Sequence, residues 1–246
     1  MCSSDLEWSL LTAEACGDHR LAQFSQRVES MIGNIGEGQR NCGSLDGDAA
    51  VSTASSTALP LSDNEVDFVL SSPPYCTRID YAVATAVELA VLGHPPFCKD
   101  SSFGKLRRAL LGTVTVPATF PSASPQWGKR CLAFLDELAA HESKASRSYY
   151  LKSHRQYYGS LYGSLEELRR VMKPEAQAVL VLQDSYYKDI HNDLPAIVTE
   201  MSEGLGMTVL SRTKFASKRT MASVNPRVAP YRDRRDATEE VIHLSA

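Results

Sequence analysis

Apolar residues return along this chain in two distinct periods. From Asp5 to Ile32, Leu6, Leu10, Ala13, Leu21, Phe24, Val28 and Met31 fall mostly at three- and four-residue steps around Gly17, which predicts one amphipathic helix or two short ones. The same spacing predicts helices over Tyr81 to Leu92, Trp127 to His141, Ser146 to Met172 and Leu194 to Met201. The first of these is stopped by "GHPPF" and the third by "KPEAQ". Short unbroken apolar runs predict strands: "VDFVL" (66–70), "AVLVLQD" (178–184), "MTVLSRT" (207–213) and "EEVIHLS" (239–245). A further short strand is possible near Asn41 to Leu45, within a glycine- and serine-rich stretch that otherwise reads as loops.

Strands alternating with helices imply one α/β domain: an open sheet with helices on both faces, an irregular insertion at 93–126 and a closing strand pair. With 246 residues, 43% of them hydrophobic, the chain can bury a substantial core. No apolar run reaches the roughly 18 residues of a membrane-crossing helix, and "MCSSDLEW" lacks the basic and apolar blocks of a secretory signal. The expectation is a cytoplasmic protein without a membrane partner. The six cysteines contain no C-x-x-C pair and no histidine at ligand spacing, so reduced, mostly buried thiols and no metal site are expected.

Net charge is only −3, but it is unevenly placed. Arg212, Lys214, Lys218, Arg219, Arg227, Arg232, Arg234 and Arg235 face a single acid, Asp233, across 212–235, a local +7 that leaves −10 for the remainder. Such a stretch is either a phosphate-binding face or a solvated loop.

The most unusual local feature is the corner after "VDFVL", where the strand runs into Ser71, Ser72, Pro73, Pro74 and Tyr75. In an open parallel sheet ligands sit outside the carboxyl ends of the strands. Neither proline has an N–H, and each fixes its own φ, so the local carbonyls are expected to point outward with no intramolecular donor nearby. Fixed acceptors followed by a flat ring suit a planar substrate bearing an amino group, with Tyr75 stacked on its face. The plainer reading is a stiff strand-to-loop turn with Tyr75 packed as core.

"SPPY" after an apolar strand resembles the catalytic motif of the S-adenosylmethionine-dependent amino-methyltransferases: Asp, Asn or Ser, then Pro-Pro, then an aromatic residue. Together with "GDA", "LPLSDNEVDFVLSSPPYCTRIDY" and "YYLKSHRQYY" through "LEELRRVMKPEAQAVLVLQDSYYKD", the chain from about 47 to 244 is similar to bacterial DNA methylases of this group, including those of restriction-modification systems. The resemblance implies that Ser72 and the Pro73 carbonyl, within the Ser72-Pro73-Pro74-Tyr75 motif, hold an exocyclic amine while Tyr75 stacks on a flipped base. It implies in-line methyl transfer without a covalent enzyme intermediate, from a cofactor contacted by Asp48, Ala49 and Ser71. Arg78, Lys218, Arg219, Arg227 and Arg232 would contact DNA. The serine form of the motif points to cytosine-N4 ahead of adenine-N6.

The family's Rossmann-like sheet has strand order 3-2-1-4-5-7-6 and a Phe-x-Gly-x-Gly loop after its first strand. That loop is missing: "GNIGEGQR" (33–40) is the one glycine cluster, and it follows a helix. Only 47 residues precede Asp48, too few for the first two strands and their helices. The resemblance therefore implies an incomplete sheet whose missing strands and glycine loop come from a second polypeptide. A non-catalytic subunit that positions nucleic acid, and an amine methyltransferase acting on RNA or protein, are the alternatives.

Overall fold

The structure, a computed structural model, describes residues 50–76, 79–86, 102–113, 115–116, 122–143, 145–217 and 237–246. The chain divides into two units, residues 1–53 with 97–99 and residues 54–96 with 100–246; the description that follows is of the second.

Its elements follow the apolar pattern closely. In order they are β1 (Val66–Ser71), α1 (Tyr81–Ala84), α2 (Ser102–Ala109), α3 (Gly128–Ala140), α4 (Leu151–Val171), β2 (Met172–Gln183), β3 (Ser185–Tyr187), β4 (Ile190–Asn192), α5 (Leu194–Gly204), β5 (Thr208–Ser217) and β6 (Ala237–Ser245). Strands pair in the order β1-β2-β6-β5. β1 is parallel to β2, with Phe68 opposite Gln177 and Ser71 opposite Leu180. β6 is antiparallel to both its neighbours, so Ile242 lies between Leu180 and Arg212. The molecule is thus mixed α/β with a mixed sheet.

Several boundaries differ from expectation for local reasons. β2 begins six residues early, directly after α4. Pro174 removes a donor and Glu175 takes a positive φ of 65°, so "KPEAQ" ends the helix yet stays extended through an irregularity in the β1–β2 register. α5 runs three residues past Met201 and ends ahead of Gly206, whose φ of 83° suits glycine after a helix. Asp193 caps its start, accepting from the Ala196 amide at 3.1 Å. The hairpin β3–β4 was not expected. The segment 93–126 is not wholly irregular, since α2 lies within it. Of the helix expected over 81–92, Tyr81–Ala84 is described, and residues 87–92 lie outside the described residues, as do the helix at 5–32 and the strand near 41–45.

The core lies on one face of the sheet. Alternate residues Ala178, Leu180 and Leu182 of β2, with Ile242 and Leu244 of β6, meet Leu138 of α3, Tyr158 and Leu161 of α4, and Ile197, Val198 and Met201 of α5, all buried. Helices on both faces were expected; among the described residues α3, α4 and α5 all pack on this one. On the opposite face Leu70 is 71% exposed, Phe68 54% and Phe215 53%. β1 is also an edge strand among the described residues. A run as apolar as "VDFVL" is the pattern of a strand buried on both sides, and here half of it faces solvent.

Two side-chain clamps fix the helices. The Glu200 carboxylate accepts from the Lys129 and Arg130 amides at 2.9 and 2.8 Å, closing the start of α3 from α5. Glu167 accepts from the Leu59 amide at 2.7 Å, and Arg170 donates to the Leu61 carbonyl at 2.9 Å and reaches Asp63 at 2.5 Å, so the segment leading into β1 is tied to α4. These bonds hold the Glu167 carboxyl down at about 2, with the Arg170 guanidinium the largest cause.

Candidate active site

The corner stands at the carboxyl end of β1. Ser71 and Ser72 are exposed, Pro73, Pro74 and Tyr75 half-buried, and Cys76 buried. Tyr75 is therefore not a core residue. The Ser72 hydroxyl donates to the Val181 carbonyl of β2 at 3.3 Å and lies 3.4 Å from the Tyr75 hydroxyl. Ser72 has no histidine or carboxylate partner among the described residues, so nothing there activates it as a nucleophile. Its oxygen keeps acceptor capacity.

The expectation that the proline carbonyls lack an intramolecular donor is corrected at one of the two. The Tyr157 hydroxyl donates to the Pro74 carbonyl at 2.7 Å. Burial, followed by the neighbouring Cys76 and Tyr81, pushes the Tyr157 pKa well above its usual value, so this group remains a donor across the physiological range. Among the described residues no donor meets the Pro73 carbonyl. The corner thus presents one pinned carbonyl, one without a donor among the described residues, an exposed hydroxyl and a half-exposed ring.

Surrounding elements hold this geometry. Ser185, just past β2, donates to the Cys76 carbonyl at 3.3 Å. Gly112, with φ of 79°, turns the chain beneath Pro74, where an added Cβ would sit 3.8 Å from the Pro74 Cβ. The positive φ, rather than lack of space, calls for glycine. Downstream, Asp80 accepts from the Val83 amide at 3.3 Å to cap α1, and takes two bonds from the Arg107 guanidinium of α2 at 2.9 and 2.5 Å.

At the end of β2, buried Asp184 accepts from the Thr238 amide at 2.8 Å and from His191 Nε2 at 3.0 Å. Asp184, Ser185, His191 and Tyr157 did not stand out in the sequence. Asp184 had a signal, an acid closing an apolar strand. Tyr157 had none, because its spacing on α4 is that of a core aromatic.

Other assignments divide clearly. Asp48, Ala49, Arg78, Lys218, Arg219, Arg227 and Arg232 lie outside the described residues, as do Arg234 and Arg235. At the start of the basic stretch, Arg212 is hydrogen-bonded to Glu240, which is buried, and Lys214 lies 3.9 Å from the same carboxylate. The Glu240 bond leads the causes that raise the Arg212 pKa. Two of the eight basic residues counted across 212–235 thus face Glu240, Lys214 with a side chain that remains 65% exposed. Among the described residues, Cys76 and Cys131 are buried and joined in no disulfide. Among the described residues there is no cluster of three or more metal-ligating side chains, and no helix is long and apolar enough to cross a membrane. No protein-family model matches the chain, and neither does any curated protein.

Proposed function

We propose that this chain is the catalytic portion of a DNA amino-methyltransferase that uses S-adenosylmethionine, with the cytosine-N4 amine the preferred target ahead of adenine-N6. The observation that carries this reading is where the corner sits in the sheet. The order β1-β2-β6-β5, with β6 antiparallel between two strands that run the same way, matches the 4-5-7-6 run of the family's sheet. The Ser72–Tyr75 corner then falls at the carboxyl end of the fourth strand, where the family carries its catalytic motif.

The acceptor set fits an amine substrate. Its two N–H groups have acceptors in the Ser72 hydroxyl oxygen and the Pro73 carbonyl, neither of which can give a proton to the nitrogen lone pair in that role. Tyr157 holds the Pro74 carbonyl, and through it the angle at which Pro73 is presented. Tyr75, half-exposed, offers its ring face to the base plane. When bound, S-adenosylmethionine supplies an electrophilic methyl group. Of the residues assigned to it, Ser71 is exposed beside the corner.

A second polypeptide completes the enzyme in this reading, adding strands beyond β1 and the glycine loop. The uncovered apolar face at Phe68 and Leu70 supports this. Calorimetry tests it: the chain alone should not bind S-adenosylmethionine at micromolar concentration, and a polypeptide bearing Phe-x-Gly-x-Gly should restore binding and methyl transfer to DNA. Micromolar binding by the monomeric chain would mean that its pocket is already complete.

A further inference from the structure

The hairpin β3–β4 has an anchored side and a presented side. On the anchored side Tyr187 is buried, its hydroxyl 2.8 Å from the Ser146 hydroxyl and its ring centroid 4.5 Å from that of Tyr150. Asn192 is buried as well, accepting from the Tyr158 hydroxyl at 2.6 Å and donating to Ser185 Oγ at 3.1 Å. Ser185 in turn donates to the Cys76 carbonyl, so the hairpin is bonded to the end of the Ser72–Tyr75 corner.

On the presented side Tyr186 and His191 are directly opposed across the two strands. Their ring centroids are 4.7 Å apart with a 34° tilt, and they are 40% and 44% exposed. The imidazole is held by Asp184, itself held by the Thr238 amide. The two rings lie against one another with fixed backing, and an outer ring face exposed beside the carboxyl ends of β1 and β2 loses little side-chain freedom when a flat ligand covers it.

We infer that the Tyr186–His191 face is a stacking platform for an unpaired base of the nucleic-acid strand, apart from the base held at Tyr75. Extruding one nucleotide unstacks its neighbours and leaves base faces exposed, and every base offers a π-face whatever its sequence. Backing on both hairpin strands keeps the platform in register with the corner, so a base stacked there would fix the strand for the reaction. The inference rests on the proposed nucleic-acid function and adds a contact that lies outside the 212–235 stretch.

The test is fluorescence anisotropy of the full chain with a labelled single-stranded deoxyoligonucleotide over a range of salt concentrations. Tyr186→Ala should weaken binding about tenfold or more, while Tyr186→Phe, which keeps the ring, should bind like the parent. The salt slope should stay the same in both variants, because no phosphate contact is removed. Abasic substitution along the oligonucleotide should reproduce the loss in the parent and add nothing to it in Tyr186→Ala.

Parent-like binding by Tyr186→Ala overturns the platform, and so does a parent chain that does not bind the oligonucleotide at all. Methyl transfer by the completed enzyme separates the two ideas. If Tyr75→Ala abolishes transfer while Tyr186→Ala binds normally, the platform falls and the enzyme reading stands. If Tyr186→Ala weakens binding while the completed enzyme methylates no nucleic acid, the platform stands and the enzyme reading falls.

Discussion

Replacing Phe68 and Leu70 together by lysine should turn a self-associating chain into a monomer. Complete burial of a leucine or phenylalanine side chain is worth about 1.5–3 kcal/mol. Leu70 keeps 71% of its surface exposed and Phe68 keeps 54%. Covering what is left would contribute about 1–2 kcal/mol at Leu70 and about 0.8–1.6 kcal/mol at Phe68. Together that is about 2–3.5 kcal/mol, or roughly 30- to 400-fold in an association constant. The buried remainder of both side chains sets the cost to the chain itself at about 1–2 kcal/mol, less what the lysine methylenes recover. Lysine on an edge strand also opposes pairing of the open edge with another chain. The assay is size-exclusion chromatography with light scattering at matched micromolar concentrations, with circular dichroism to confirm equal helix content. The parent should elute as oligomers or aggregate, and Phe68→Lys with Leu70→Lys as a monomer. A parent that is already monodisperse and monomeric would refute the reasoning, as would a folded double variant that associates as strongly as the parent.

Tyr157→Phe removes the bond to the Pro74 carbonyl and should lower stability by about 1 kcal/mol, seen as a fall of about 2–4 °C in thermal midpoint; an unchanged midpoint would mean that the bond adds nothing net. Gly128→Ala should cost more, about 1–3 kcal/mol, because φ is 84° and the new Cβ would lie 2.7 Å from Glu200 Cδ, displacing the carboxylate that closes α3. Its urea midpoint should fall with an unchanged slope, and a parent-like midpoint would show that Glu200 yields freely. The Glu167 pKa is depressed on folding, so its stabilisation is complete above the unfolded value, about 4.3, and is lost as pH falls through about 2. Glu167→Gln should therefore flatten the stability profile between those pH values and leave its slope near neutrality unchanged; a parallel acid profile would assign the acid loss to other carboxylates.

Local pattern was sufficient for most of the elements. The unbroken runs in β1, β2, β5 and β6, and the three- and four-residue steps of α3, α4 and α5, are properties of single segments; β2, β6 and the three helices bury the side their spacing marks, whereas β1 and β5 stay largely exposed. The stiff corner was legible for the same reason, since two prolines restrict their own backbone wherever they stand. The extension of β2 through Glu175 and the hairpin β3–β4 were not, because pairing with a neighbouring strand settles them against weak local preference.

What the sequence by itself determined is a chain of alternating strands and helices, with a donor-poor, aromatic-tipped corner at the end of one strand. That one of its carbonyls receives a donor was decided only in three dimensions, by a tyrosine 83 residues away whose hydroxyl reaches Pro74. Tertiary structure likewise set Arg212 and Lys214 against Glu240 and, among the described residues, left the Phe68–Leu70 side of β1 without a helix. A sequence states what each residue can bond to or bury, but whether a partner arrives depends on elements far apart in the chain, and only the folded contacts settle that.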